Sequence, residues 1–175
     1  MHWSDVMAGR LAERGHRHVI ATGITPSGEF HIGHLREILT GDMIARAARR
    51  AGMEAELVFV VDNADPLRKV YPFLDPSYEA FIGHQLGSIP APDADGKPDW
   101  NRFNKEGWTY GDHFLVPFLE ALKQIGVIPR LLPNLEAYRS GKFSASARIA
   151  CDQREEIREI MERVSGRELP ESWFP

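Results

Sequence analysis

The stretch Thr22-Gly23-Ile24-Thr25-Pro26-Ser27-Gly28-Glu29-Phe30-His31-Ile32-Gly33-His34-Leu35 decides the fold, because it carries an apolar run into a helix through a segment that is neither strand nor helix. His18 to Thr22 is a short apolar strand. Gly23 to Gly28 is rich in turn formers, and Pro26 keeps Thr25 out of helical geometry, so a loop must follow the strand. Beyond it, Ile32, Leu35, Leu39, Met43 and Ala47 recur every three or four residues, which predicts a helix from about 32 to 51 that ends before Gly52. The next run, Leu57-Val58-Phe59-Val60-Val61, is too continuous for a half-exposed strand and predicts a parallel strand covered on both faces. Strand, loop, helix and strand make a βαβ unit.

The flanks extend this unit. Ser4 can cap a first helix running to about Arg14, with Trp3, Val6, Met7 and Leu11 on its apolar side and Gly15 as its stop. Residues 62–108 hold six prolines, and only Tyr78 to Leu86 reads as helical, so a thin core is expected there. A helix from Tyr110 to Gly126, bent at Pro117, and a strand from Val127 to Leu132 suggest a second βαβ unit. One last helix is expected from Ser144 to Val164. The whole is α/β, a Rossmann-like domain over residues 1–175 with an open, mostly parallel sheet.

Composition narrows the setting. A chain of 175 residues, 43% apolar and 26% charged, is the size of one globular domain. No apolar run approaches the roughly 18 residues of a membrane span, and the start lacks a signal-like segment, so a cytoplasmic protein with no membrane partner is expected. Cys151 is the single cysteine, which excludes an internal disulfide and a cysteine-based zinc site; its acidic neighbours suggest a structural thiol. The formal charge of −4 argues against a surface that is basic throughout but leaves a local nucleic-acid patch open.

The chemistry is expected where the first strand gives way to the helix, since open α/β sheets bind ligands at the carboxyl ends of their strands. First-turn amides and the helix dipole favour a phosphate there. His31 and His34 add two imidazole donors on one helical face, and Gly33 leaves room for a ribose or base against the backbone. Imidazoles bonded to α-phosphate oxygens would favour the transition state of nucleotidyl transfer. A bare His-x-Gly-His is often accidental; its position after a strand and a Pro-Ser-Gly turn is what makes it specific. No third ligand is placed beside the pair, so no metal site is assigned.

These residues resemble a known family. Thr25-Pro26-Ser27-Gly28 followed by His31-Ile32-Gly33-His34 is similar to the first nucleotide-binding motif of class I aminoacyl-tRNA synthetases, and the wider wording resembles the class I lysyl-tRNA synthetases. The resemblance runs through His2-Trp3-Ser4-Asp5, Asp65-Pro66-Leu67-Arg68-Lys69-Val70, Tyr110 to Phe114, Tyr138 to Lys142 and Val164 to Pro170. It implies a ligase of protein biosynthesis that activates lysine with ATP and its Mg2+, then transfers it to tRNA. By the same resemblance His31 and His34 are the catalytic pair. Thr25, Pro26, Ser27, His31, Gly33 and His34 serve ATP, while Gly23 and Thr25 line the lysine pocket. Asp62 and Asp65 either face that pocket or cap the turn at Pro66.

The family's second catalytic loop, of Lys-Met-Ser-Lys-Ser type, is missing in its expected form. Lys142-Phe143-Ser144-Ala145-Ser146 resembles it only loosely, and falls where the family has an earlier element. The loop, the zinc-binding insertion and the anticodon-binding region would follow Pro175, so the sheet is expected to be incomplete and no zinc is expected in this portion. The chain is then either a piece of a full enzyme or a short relative that has lost aminoacylation. Asp62-Asn63-Ala64-Asp65 stands where the family tends to have a run of acids, and Glu106 to Thr109 replaces a Cys-His-bearing stretch. Two other classes remain open. One is a small nucleotidyltransferase of the HxGH type. The other is a non-catalytic nucleotide- or RNA-binding module, in which Arg46, Arg49, Arg50, Arg68, Lys69, Arg139 and Lys142 either touch RNA or decorate solvated faces. An incomplete sheet also predicts self-association, or a second chain carrying the missing half.

Overall fold

The computed structural model describes residues 2–174, which form two compact units, one ending at Leu135 and the other beginning at Glu136. The first unit is built on three parallel strands, β1 (Arg17–Ile24), β2 (Glu54–Val61) and β3 (Arg130–Pro133), in the spatial order β1-β2-β3. The open, parallel α/β sheet expected from the sequence is therefore present, and it is small.

Helix α1 (Trp3–Ala12) begins two residues earlier than a Ser4 cap implies, and its cap is His2, whose Nδ1 accepts the Ser4 N–H. Ser4 is buried against that ring instead of capping the helix. Ala8, not Trp3 or Val6, is the residue α1 buries, packed with Ala47, Ala48 and Met53. Only small side chains let two helices approach that closely.

Helix α2 (Ile32–Arg50) crosses from β1 to β2. Its buried stripe is Ile38, Gly41, Asp42, Ala45, Ala47 and Ala48. Ile32 is 79% exposed, so the expected apolar stripe does not start at the first residue of the helix. Gly41 brings the helix down onto the sheet: a Cβ there would stand 2.7 Å from Thr22 Cγ2 and 3.1 Å from Leu57 Cδ1. The core on this face joins Ile24, Ile38, Leu57, Phe59 and Val61 to Leu115, Phe118 and Leu122 of helix α4 (Tyr110–Gln124). Pro117 is accommodated within α4.

On the other face, β1 and β2 begin exposed at Arg17, Val19, Glu54 and Glu56, with ion pairs Arg17–Glu54 and Arg130–Glu56 joining neighbouring strands. Coverage on both faces holds only from Leu57 to Phe59, where Val58 is buried as well.

The crossover from β2 to β3 departs most from expectation. Residues 62–108 contain two 3-10 segments, Pro76–Phe81 and Leu86–Ser88, and helix α3 (Trp100–Glu106), where a single helix over 78–86 was expected. Its core is not thin: Leu67, Leu74, Tyr78, Leu86, Ile89, Tyr110 and Phe114 form a second buried cluster. The prolines contribute to it, with Pro90 buried and its carbonyl accepting the Tyr78 hydroxyl at 2.9 Å.

Helix α5 (Asn134–Arg139), too short to show periodicity, follows β3 directly. In the second unit the expected single helix is two, α6 (Ser144–Asp152) and α7 (Arg154–Ser165), broken at Gln153. Cys151 is exposed, which corrects the reading of it as a structural thiol. Among the described residues no helix is long and apolar enough to cross a membrane.

Gly41→Ala tests the helix-sheet contact. Helix propensity alone would make alanine better by about 1 kcal/mol, but the stiff Thr22 side chain cannot yield cheaply. Overpacking of about 1–3 kcal/mol should win. Urea denaturation should show a lower midpoint, and a raised midpoint would contradict the packing described.

Candidate active site at the carboxyl ends of the strands

β1 and β2 end together, with Gly23 opposite Val60 and Ile24 opposite Val61, and the Asp62 N–H extends the pairing to the Ile24 carbonyl at 3.0 Å. Gly23 suits this close approach, since a Cβ on it would lie 3.1 Å from Val60 Cβ and 3.2 Å from the Val60 carbonyl oxygen, tighter than ordinary contact. Its N–H, on the side of β1 that carries no neighbouring strand, donates to Glu37 Oε1 at 3.1 Å. A cavity of about 130 Å³ opens here, lined by Gly23, Ile24, Thr25, Val60 and Asp62.

The loop that follows is held at three points. Pro26 is buried, the Ser27 carbonyl accepts the Tyr110 hydroxyl at 2.8 Å, and Phe30 stacks on Phe118 with ring centroids 4.4 Å apart. Burial pushes the Tyr110 phenol far above its ordinary range, so it stays a donor. Gly28 lies against Phe73. Thr25, Pro26 and Ser27 are thereby delivered next to the start of α2.

The two histidines take unequal places there. His31 is the N-cap residue, and its Nδ1 accepts the Gly33 N–H at 3.0 Å; His34 Nδ1 accepts the His31 N–H, also at 3.0 Å. The rings lie 3.9 Å apart, with Phe30 edge-on to His34 at 5.1 Å. This corrects one expectation and gives Gly33 a second role. The first-turn amides of Gly33 and His31 are occupied by imidazole nitrogens instead of standing free for a phosphate. Gly33 is needed by the protein itself, because a Cβ there would fall 2.7 Å from His31 Cε1. The chemistry that remains is well defined. With Nδ1 accepting on both rings, each neutral imidazole carries its proton on Nε2 and is a donor there. Burial, and then the neighbouring His31, lower the His34 pKa, while Glu37 opposes the shift.

The acids also resolve. Asp65 is tied to the site: its Oδ2 accepts the Thr25 hydroxyl at 3.1 Å and Arg68 Nη2 at 3.2 Å. Asp62 lines the cavity and accepts the Asn134 amide at 3.0 Å. Asn63 accepts the Leu135 N–H on its side chain and the Gly87 N–H on its carbonyl, which closes the crossover over the strand ends. Glu37 and Val60 belong to the site but escaped the sequence reading. Glu37 is six residues beyond His31, so a helical wheel seeded on the histidines would have found it nearby; Val60 carries no chemical signal.

The other histidines lie elsewhere. His84 faces Phe81, and His113 lines a separate cleft with Glu29, Phe30, Phe114 and Pro117. Among the described residues no three metal-ligating side chains come together. A larger cavity, about 780 Å³ around Arg17, Arg49 and Glu54, opens at the amino ends of the strands, away from these groups. Lys142 lies in the turn before α6, in the second unit.

The strand-loop-helix junction thus sets paired imidazoles on one side and carboxylates on the other. The family described as tRNA synthetases class I (K) matches residues 1–175. The chain is 42% identical to lysine–tRNA ligase 1 of Methanosarcina acetivorans over 175 residues, covering all of this chain and 31% of that protein. It is 44% identical to lysine–tRNA ligase of Archaeoglobus fulgidus, covering all of the chain and 33% of that protein. For the Methanocaldococcus jannaschii ligase the identity is 40%, with coverage of 100% and 31%. The chain therefore belongs to the lysyl-type class I tRNA synthetase family, and it spans about a third of the length of these curated relatives.

The ring-ring contact predicts a coupled titration. A histidine whose folded pKa is depressed is neutral over more of the acidic range than in the unfolded chain. Its contribution to stability is present above pH 6.5 and is lost as pH falls from there towards the folded pKa. In an NMR titration His34 should titrate below 6.5. His31→Ala should move it part of the way back, because burial, the larger cause, remains. A His34 pKa unchanged by that substitution would contradict the contact.

Proposed function

We propose that this chain is the ATP-binding, amino-terminal part of a lysine–tRNA ligase. The observation that carries the reading is the pair of imidazoles at the α2 start, both with Nδ1 spent on the backbone and Nε2–H available. ATP enters as its Mg2+ complex. The lysine carboxylate oxygen attacks the α-phosphorus, a new P–O bond forms, and the bond to pyrophosphate breaks. Charge gathers on the α-phosphate oxygens as this happens, and His31 and His34 donate to those oxygens from Nε2. Thr25, Pro26 and Ser27 shape the approach, and Gly33 keeps the His31 ring in place. Gly23 and Thr25 hold the amino acid beside the phosphate. Transfer to tRNA, a cytoplasmic setting and the rest of the lysine pocket follow from the likeness to the full-length ligases. The uncovered face of the sheet, with Val19 63% exposed, supports a partner segment there, from a second copy or another polypeptide.

Calorimetric titration with MgATP should show binding that weakens at least tenfold in His34→Ala, the order expected for one bond to a charged group. Equal affinity in both proteins, each folded by circular dichroism, would contradict the assignment.

A further inference from the structure

Thr25 Oγ1 lies 3.1 Å from Asp65 Oδ2, the oxygen that also receives Arg68 at 3.2 Å. An ionised carboxylate has no proton to give, so the single hydroxyl proton of Thr25 is committed to Asp65, and its lone pairs are what the cavity sees. The cavity's other polar side chain, Asp62, is also acceptor-only. The Gly23 N–H is turned away to Glu37. A space of about 130 Å³ matches an ammonium and its adjoining carbons in size.

We propose that Asp65 is a positioning residue that locks the Thr25 hydroxyl as an acceptor, so that the cavity formed with Asp62 selects the α-ammonium of the amino-acid substrate. This rests on the lysine-activating reading above. The α-ammonium is the group assigned because the neighbouring carboxylate must stay outside the acceptor-lined cavity, towards the imidazole donors, if it is to reach a phosphate. Without Asp65 the hydroxyl rotates freely and can present its proton to the ligand, so the loss is one of preorganisation and polarity.

NMR titration of the 175-residue chain with three probes tests this: L-lysine, L-norleucine, which lacks the ε-ammonium, and 6-aminohexanoate, which lacks the α-ammonium. Asp65→Ala should weaken lysine and norleucine about tenfold, the order of a bond to a charged group, and leave 6-aminohexanoate within about twofold. Thr25→Val should give the same pattern. The double variant should be no worse than Thr25→Val alone, since Asp65 acts through that hydroxyl. Thr25→Ser should restore the discrimination, and Asp65→Asn, which keeps the shape of the side chain, serves if Asp65→Ala does not fold. If Asp65→Ala weakens 6-aminohexanoate as much as lysine, or adds to Thr25→Val, Asp65 only supports the fold and the inference is overturned while lysine binding stands. A loss confined to ligands bearing the ε-ammonium would also overturn it. If the parent chain binds none of the probes, the lysine reading itself fails and takes the inference with it.

Discussion

The buried hydroxyl of Tyr110, donating to the Ser27 carbonyl at 2.8 Å, joins the loop after β1 to a helix 83 residues further along the chain. A loop of this kind has few backbone bonds of its own, and Thr25 to Phe30 is kept in one conformation mainly by what packs on it. The stack of Phe30 on Phe118 adds an apolar anchor from the same helix. Both anchors come from α4, so the geometry of the β1–α2 junction is set by the crossover between β2 and β3. The irregular segment 62–108, which has the least regular structure in its unit, is what brings α4 there and buries Tyr110. The site thus depends on a core outside the sheet as much as on the sheet.

At the start of α2, the protein satisfies its own helix end with the side chains that chemistry would otherwise use. His31 and His34 each accept a backbone N–H, which quenches part of the attraction a bare helix terminus has for anions. What the arrangement gains is a fixed tautomer. Imidazoles free to choose would present either a lone pair or a proton to an incoming phosphate, whereas these are held with Nε2 as the donor. The helix dipole still points the right way, and the depressed His34 pKa means that this donor is a neutral ring over most of the neutral range.

Much of this was legible in the sequence because it follows from local rules. The βαβ unit was marked by the Leu57 to Val61 run, the 32–50 periodicity and the Pro26 loop, and their parallel pairing follows from the length of the crossover. The thin core expected for 62–108 was wrong because Tyr78, Leu86 and Ile89 gather with Tyr110 and Phe114 without any period to announce them. His2 as the cap of α1 was missed because histidine is an unusual cap, and Ser4 is the residue a rule would choose. Gly33 was identified for a ligand contact, whereas its tight approach to the His31 ring inside the protein was not foreseen. The links from Gly23 to Glu37 and from Thr25 to Asp65 span 14 and 40 positions, and although a helical wheel could place Glu37 near the histidines, no local pattern reveals either bond.

The junction is divided by polarity. On the helix side stand donors, the two Nε2–H groups; on the strand side stand acceptors, the Thr25 hydroxyl oxygen and the Asp62 carboxylate. An amino acid is itself divided, with an ammonium and a carboxylate on one carbon, so only one orientation satisfies both sides. The reverse orientation would set the substrate carboxylate against Asp62 in a small cavity partly screened from water, where like charges repel most strongly. The same field that would orient the amino acid would also keep a phosphate off the strand ends and at the helix start. On the proposed reading, one asymmetry of charge, produced by where β1 stops and α2 begins, would place both reactants with their reacting oxygens and phosphorus facing each other.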